Sequence, residues 1–209
     1  MQEKTKNIIL NLIGILYIIL GVGAIINTIY IELGLAPILW LCYIGVILIG
    51  IGFLMKNYLL VLSQLNILAI PLLFWNIDFY SILLTGNSLF GITEYFFISG
   101  PLIGKIISSQ HLFTIPLAIY TLYLIKIKSN AWLISFFQIT IVFFITRLIS
   151  SPDQNINCVF KSCMNIQFTG FYPLIWFIGF FVIIFVTNFI LMNILFLREA
   201  GRVIGTIKK

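Results

Sequence analysis

Six long apolar runs constrain this chain more than any other feature of its sequence. They cover residues 8–29, 37–55, 58–77, 111–127, 131–149 and 171–197. Each is close to the roughly 20 residues that an α-helix needs to cross a bilayer. The runs are continuous rather than alternating, which disfavours a transmembrane β-barrel. With 61% hydrophobic and 9% charged residues, the chain also lacks the charged surface of a soluble domain.

The sequence therefore predicts an all-α, polytopic integral membrane helix bundle with about six transmembrane helices in a single domain, residues 1–209. The segment 79–107 does not fit a seventh span, because polar and turn-forming residues interrupt it twice, near residues 85–88 and 100–101. We expect either one broken helix there or short segments at the membrane interface.

Basic residues predict the orientation of the bundle. With six spans both termini lie on one side of the membrane, and that side holds nine of the twelve Lys and Arg residues. Only Lys105, Arg147 and Lys161 remain on the other side. Because cytoplasmic loops carry an excess of Lys and Arg, we expect an N-in/C-in multi-pass protein of the cell membrane. This placement of the basic residues accounts for the net charge of +6, so we expect no nucleic acid as a partner. The expected partners are membrane lipids or a protein within the membrane.

Two of the three cysteines, Cys158 and Cys163, lie in the predicted outer loop. Oxidising conditions there permit a disulfide, and the alternative is a redox-active pair of the quinone-linked oxidase type, although a second vicinal pair is absent. Two cysteines are too few for a structural zinc site. Since no nucleotide motif is present either, we expect no metal and no cofactor.

The chain's only histidine, His111, begins the fourth apolar run. Thr114, Ala118 and Thr121 follow at steps of three and four, which places them on one helical face. Such a stripe of small and polar residues turns inward in a membrane bundle, whereas Leu112, Ile115, Ile119 and Leu122 are expected to face elsewhere. An ionisable group at the end of an inward stripe is a candidate site.

Cys42 is predicted to lie at the same depth as His111. It follows Pro37 by five residues, so it sits about 7 Å below the outer end of the second span, and His111 enters the membrane from that same side. A cysteine–histidine dyad requires this shared depth, since the imidazole must reach the sulfur to take its proton. The alternative is that Cys42 is a small hydrophobe and His111 a hydrogen-bonding residue.

Polar residues at the outer ends of other spans complete the predicted site. Asp78 and Arg147 end the third and fifth spans; paired, they would cap a polar pocket or orient His111, and Arg147 would hold a phosphate headgroup. Their alternative is to snorkel to the interface. Asn76, Gln110 and Gln138 can add hydrogen bonds. We therefore predict Asn76, Asp78 and Arg147 as substrate-binding residues.

Five sequence pieces, taken in order, resemble the YwaF-like bacterial integral membrane proteins, distant relatives of eukaryotic transmembrane cysteine-dependent phospholipid acyltransferases. They are Ala36–Cys42, Met55–Asn57, Phe74–Gly86, Ile107–Lys126 and Ser151–Trp176. The resemblance implies that Cys42 accepts the acyl group and that His111 is the catalytic histidine. Trp40 and Tyr43 stand where the bacterial proteins carry polar neighbours of the cysteine.

Two classes of function follow from these patterns. The first is a cofactor-independent lipid acyltransferase, or transacylase, that uses a Cys42–His111 dyad at the outer leaflet. The second is a non-enzymatic membrane subunit, assembly factor or small-solute permeation protein. Ion-coupled transport is disfavoured, because it needs ionisable residues inside the bundle and few are present.

Overall fold

A computed structural model describes residues 2–32, 35–98, 101–125, 129–164, 166 and 168–207, without the side chains of 31, 32 and 195–207. Within these ranges the chain forms helices and no strand. The α-helices are α1 (Glu3–Glu32), α2 (Leu41–Leu54), α3 (Tyr58–Thr85), α4 (Glu94–Phe97), α5 (Leu102–Ser108), α6 (Gln110–Ile125), α7 (Trp132–Ile149) and α8 (Tyr172–Ile207). Short 3-10 turns cover Ala36–Leu39 and Ile156–Cys158. The predicted all-α helix bundle is confirmed.

Five helical stretches of the described chain are long and apolar enough to cross a membrane: α1, α3, α5 together with α6, α7, and the Tyr172–Ile194 part of α8. The predicted second span is shorter than expected. Its first residues form the 3-10 turn that contains Pro37, and the extended backbone at Trp40 separates this turn from α2. The remaining 14-residue helix is about 21 Å long.

Helix α3 is the centre of the bundle and contacts α2, α6, α7 and α8. Residues 61–68 are buried on every side of this helix, polar side chains included. Gln64 and Asn66 form hydrogen bonds to neighbouring helices, although Asn66 Oδ1 has no partner among the described residues. Gln64 and Gln138 exchange a reciprocal pair of amide bonds of 2.7 and 2.8 Å, and Asn66 donates to Ser135 and Asn188. Neutral amides thus join α3 to α7 and α8, as is common between membrane helices.

Small residues allow α1 and α2 to pack closely. A Cβ atom placed on Gly14 would lie 2.9 Å from the Gly50 carbonyl oxygen, and one on Gly50 would lie 2.7 Å from the Gly14 carbonyl oxygen. The two backbones therefore meet directly, the arrangement that small residues permit in membrane helix pairs.

The predicted inward stripe of α6 is confirmed, since Thr114, Ala118 and Thr121 are all fully buried. Leu122 is buried as well, contrary to the prediction. Helix α6 packs against α1, α2 and α3, so its buried face is wider than the stripe of small residues.

The interrupted segment 79–107 forms short pieces rather than one broken helix. Its first residues extend α3, which ends at the left-handed Gly86 (φ 76°). A loop over residues 87–93 follows, and then the short helices α4 and α5. Whether these pieces lie at a membrane interface remains a prediction.

Candidate functional site

Hydrogen bonds join pairs of helix termini at one end of the bundle. Thr28 near the end of α1 donates to the Tyr43 hydroxyl at the start of α2 (3.2 Å). Asn76 near the end of α3 donates to the His111 carbonyl in the first turn of α6 (3.0 Å). Because the loops that directly follow α3 and α7 also begin at this end, we call it the loop end. It contains Cys42, His111 and the other predicted site residues.

Asp78 holds the 87–93 loop. Its carboxylate is fully buried and accepts six hydrogen bonds of 2.7–3.0 Å from that loop. The donors are the hydroxyls of Ser88 and Thr93 and the backbone N–H groups of Leu89, Phe90, Ile92 and Thr93. Each carboxylate oxygen accepts three bonds, all from this loop, rather than bonds from His111 or Arg147. The expectation that Asp78 orients His111 or pairs with Arg147 is corrected accordingly, and a substrate-binding role of Asp78 stays a prediction.

Arg147 is also engaged with a loop. Its Nη1 donates to the Val159 carbonyl (3.0 Å), and its guanidinium lies over the Phe160 ring, 4.8 Å from the centroid. The predicted pairing with Asp78 does not occur. Arg147 instead ties the end of α7 to the loop that carries the cysteine pair.

Asn76 acts on the backbone around the histidine. Its amide nitrogen donates to the Leu72 carbonyl (2.7 Å) and to the His111 carbonyl (3.0 Å). Both amide hydrogens are thereby used, and α3 is fastened to the first turn of α6. Asn76 thus positions His111.

His111 is buried, and its ring packs against the Trp75 indole with 4.8 Å between ring centroids. The Ser108 backbone is within reach of the imidazole, yet Nδ1 has no hydrogen-bond partner in the described part of the chain. An unpaired buried ring nitrogen is free to bind an incoming group.

Gln110, the residue before His111, has a side chain whose two polar atoms both lack a hydrogen-bond partner in the described chain. It is fully buried, and neither Nε2 nor Oε1 finds a hydrogen-bond partner among the described residues. The sequence predicts the same role for Gln110 and Gln138, namely additional hydrogen bonds. Gln138 is hydrogen-bonded to Gln64 and Gln110 has no partner in the part of the chain that the structure describes, so only the tertiary contacts distinguish the two residues.

Tyr95 of α4 adds a hydroxyl that the sequence did not predict. It accepts a hydrogen bond from the Trp75 indole nitrogen (3.1 Å) and is bonded to Ser108. Desolvation of this hydroxyl raises the pKa of Tyr95, although the residue as a whole is 52% exposed. The bonds to Ser108 and Trp75 oppose the shift, and negative charge on Cys42 would add to it. Tyr95 reaches this place because the loop held by Asp78 leads directly into α4.

Cys42 is a free, half-buried thiol at the start of α2. It lies within electrostatic reach of Tyr95, which Trp75 connects to the His111 ring. In the ranges that the structure covers, no hydrogen bond joins the Cys42 sulfur to the imidazole. Cys42, Tyr95, Gln110 and His111 lie at this same end of the bundle, and we refer to these four residues together as the thiol–amide cluster. A shared end of the bundle is thus established for Cys42 and His111, and a formed dyad is not.

The other two cysteines, Cys158 and Cys163, form a disulfide. As to metals, the described residues contain no group of three or more His, Cys, Asp or Glu side chains that could hold an ion.

No family model, no curated protein and no solved structure matches this chain. The resemblance to the YwaF-like proteins therefore remains a prediction, and the function has to be argued from the contacts alone.

Proposed function

We propose that this membrane protein binds a neutral, hydroxyl- or ester-bearing lipid, with the lipid's polar group entering the thiol–amide cluster at the loop end. One observation carries the proposal: Gln110 is fully buried with both polar atoms unpaired in the described chain, and the following residue, His111, has an unpaired Nδ1. A buried polar group without a partner costs about 1–3 kcal/mol. A ligand that supplies the missing bonds would offset that cost.

The chemistry of the cluster favours a neutral ligand. An amide offers donors and an acceptor, and a neutral imidazole offers one of each, so a hydroxyl or an ester complements them. Asp78 is hydrogen-bonded to the 87–93 loop and the Arg147 guanidinium contacts Val159 and Phe160, so the cluster itself contains only neutral amide, hydroxyl, thiol and imidazole groups. The apolar surface of the helices suits the acyl chain of a lipid.

The test of lipid binding compares Gln110→Leu with Gln138→Leu. We expect Gln110→Leu to lose crosslinking to a photoactivatable monoacylglycerol while its melting temperature stays the same or rises, because an unpaired amide is replaced by an apolar side chain of similar size. Gln138→Leu should keep the crosslink and melt at a lower temperature, since it leaves the buried Gln64 Oε1 without its donor. Undiminished crosslinking in Gln110→Leu would refute the proposal.

Acyl transfer is a second candidate function of the same cluster, favoured by the free thiol of Cys42 beside Tyr95. The Cys42 sulfur would attack the ester carbonyl of a lipid, form a thioester and release the lipid alcohol. His111 would take the thiol proton and deliver it to that alcohol. An incoming hydroxyl would then attack the thioester, giving its proton through His111 back to the thiol. The imidazole has to move to the sulfur for this chemistry.

The acyl-transfer candidate is tested by labelling with an acyl-type thiol probe in membranes. Labelling should disappear in Cys42→Ala and slow about 100-fold in His111→Ala, the lower end of what general base catalysis contributes. Equal rates with and without His111 would exclude a dyad and leave the lipid-binding proposal standing, because that proposal depends on Gln110.

A further inference from the structure

The start of α2 is capped by a residue more than 100 positions away. Asn157 Oδ1 accepts a hydrogen bond from the Leu41 N–H (2.8 Å), and Asn157 Nδ2 donates to the Leu39 carbonyl (2.7 Å). Trp40, the residue before the helix, supplies no side-chain cap of its own. The first N–H groups of a helix have no intrahelical partner, so Asn157 does for α2 what an N-cap residue does within a helix. Cys42 is the next residue after Leu41.

The disulfide loop holds Asn157 in an unusual backbone conformation. Asn155, Asn157 and Cys158 have φ angles of 40°, 53° and 57°, in the left-handed region that non-glycine residues rarely adopt. The Cys158–Cys163 bond closes the chain immediately after Asn157. Asn155, which lies just before the closed loop, accepts hydrogen bonds at its carboxamide oxygen from the N–H groups of Phe160 and Lys161 within it. Such a conformation persists only where the surroundings enforce it.

The loop is also fastened to the last helix. Trp176 Nε1 donates to the Asn157 carbonyl, and the Tyr172 hydroxyl donates to the Cys158 carbonyl, both at 3.0 Å. Asn157 therefore stands between α8 and the start of α2. Two hydrogen bonds of Asn157, one to Leu41 and one to Leu39, join the loop to the start of α2.

We propose that Asn157 is a positioning residue for Cys42, and that the disulfide controls the exposure of this thiol. Cys163 is exposed, so a dithiol reductant can reach it. Reduction converts the disulfide to two thiols and the dithiol to its own disulfide, with two electrons and two protons transferred. The loop then relaxes from its left-handed conformation, Asn157 withdraws, and the first turn of α2 frays. Cys42 becomes more accessible.

The test is the rate at which maleimide labels Cys42 in membranes that contain the whole protein. The double variant Cys158→Ser/Cys163→Ser removes the disulfide and leaves Cys42 as the only thiol of a chain with three cysteines. We expect its labelling rate to rise about fivefold, the population factor that one helix cap is worth. Labelling at the rate of the disulfide-bonded protein would overturn the proposal.

Three single variants distinguish the positioning of Cys42 by Asn157 from a general destabilisation of the loop. Asn157→Ala, with the disulfide intact, should raise the rate as the double variant does. Asn157→Asp keeps an acceptor for the Leu41 N–H and should restore most of the normal rate. Gln154→Ala alters an exposed residue of the same loop and should change nothing. If the double variant does not fold, Asn157→Ala decides, and an unchanged rate there refutes the coupling. Labelling reports exposure alone, so the outcome is independent of lipid binding.

Discussion

The carboxylate of Asp78 is buried in an apolar bundle, and hydrogen bonds rather than a cation compensate its charge. Burying an ionised carboxylate is costly unless it is paired or hydrogen-bonded. Here six donors surround it, four of them backbone N–H groups from one loop. The same contacts that stabilise the charge also hold the loop in its conformation. This loop leads directly into α4, and it thereby positions Tyr95.

We predict that Asp78→Asn lowers the free energy of unfolding by at least about 2 kcal/mol, the contribution of one hydrogen bond to a charged group. An amide places an NH₂ group against N–H donors and loses bonds on that side. The measurement is thermal unfolding in detergent. Asp153→Asn is the matched control, because Asp153 is an exposed residue of the other loop. Equal melting of the two variants would contradict the anchoring role of Asp78.

The pairing of α1 with α2 depends on glycine at the point of closest approach. At Gly14 an added methyl group would meet the Gly50 carbonyl and the Leu54 side chain, whereas at Gly23, on the same helix, nothing lies within 4 Å of the added atom. Backbone atoms cannot withdraw as a flexible side chain can, so the two glycines differ in tolerance although both are helical.

We therefore predict opposite effects of one substitution at these two positions. Gly14→Ala should lower the free energy of unfolding by about 1–3 kcal/mol through overpacking, even after the gain in helix propensity. Gly23→Ala should leave it unchanged or raise it by up to about 1 kcal/mol, because alanine favours a helix over glycine. Denaturation in mixed micelles measures both. A Gly14→Ala protein as stable as Gly23→Ala would show that α1 and α2 are not in direct backbone contact.

For the whole molecule, the arrangement of helix ends makes the membrane orientation testable. The 87–93 loop and the loop that follows α7 lie at the loop end, and the α2–α3 turn at Lys56 and the Tyr58–Ser129 contact lie at the other end. The distribution of Lys and Arg predicts that this second end is cytoplasmic.

The predicted orientation is measured by thiol accessibility in intact cells, starting from a variant with all three cysteines replaced. Asn87→Cys and Asp153→Cys should react with a membrane-impermeant maleimide added outside. Lys56→Cys and Ser129→Cys should react only after the membrane is permeabilised. The reverse pattern would invert the predicted orientation, and outside labelling at both ends would contradict a membrane-spanning bundle.

Much of the fold was accessible from the sequence because lipid imposes a simple rule on a chain. A helix satisfies its own backbone groups, so long apolar runs in a membrane become helices, and a step of three to four residues marks the inward face. The prediction for Thr114, Ala118 and Thr121 depended on nothing more. The short α2 was missed, because Pro37 and Trp40 together end the first turn before the main helix begins.

The sequence by itself determined the helical membrane class, the inward face of α6 and the presence of Cys42 and His111 at one end, since these depend on local composition and periodicity. Only the tertiary structure decided which polar groups are satisfied. Asp78, Gln138 and Gln110 are all polar residues in or next to apolar runs of the sequence. In the structure Asp78 anchors a loop, Gln138 is hydrogen-bonded to Gln64, and Gln110 is buried without a partner in the described chain. Hydrogen bonds form between segments far apart in the chain, so periodicity carries no information about them.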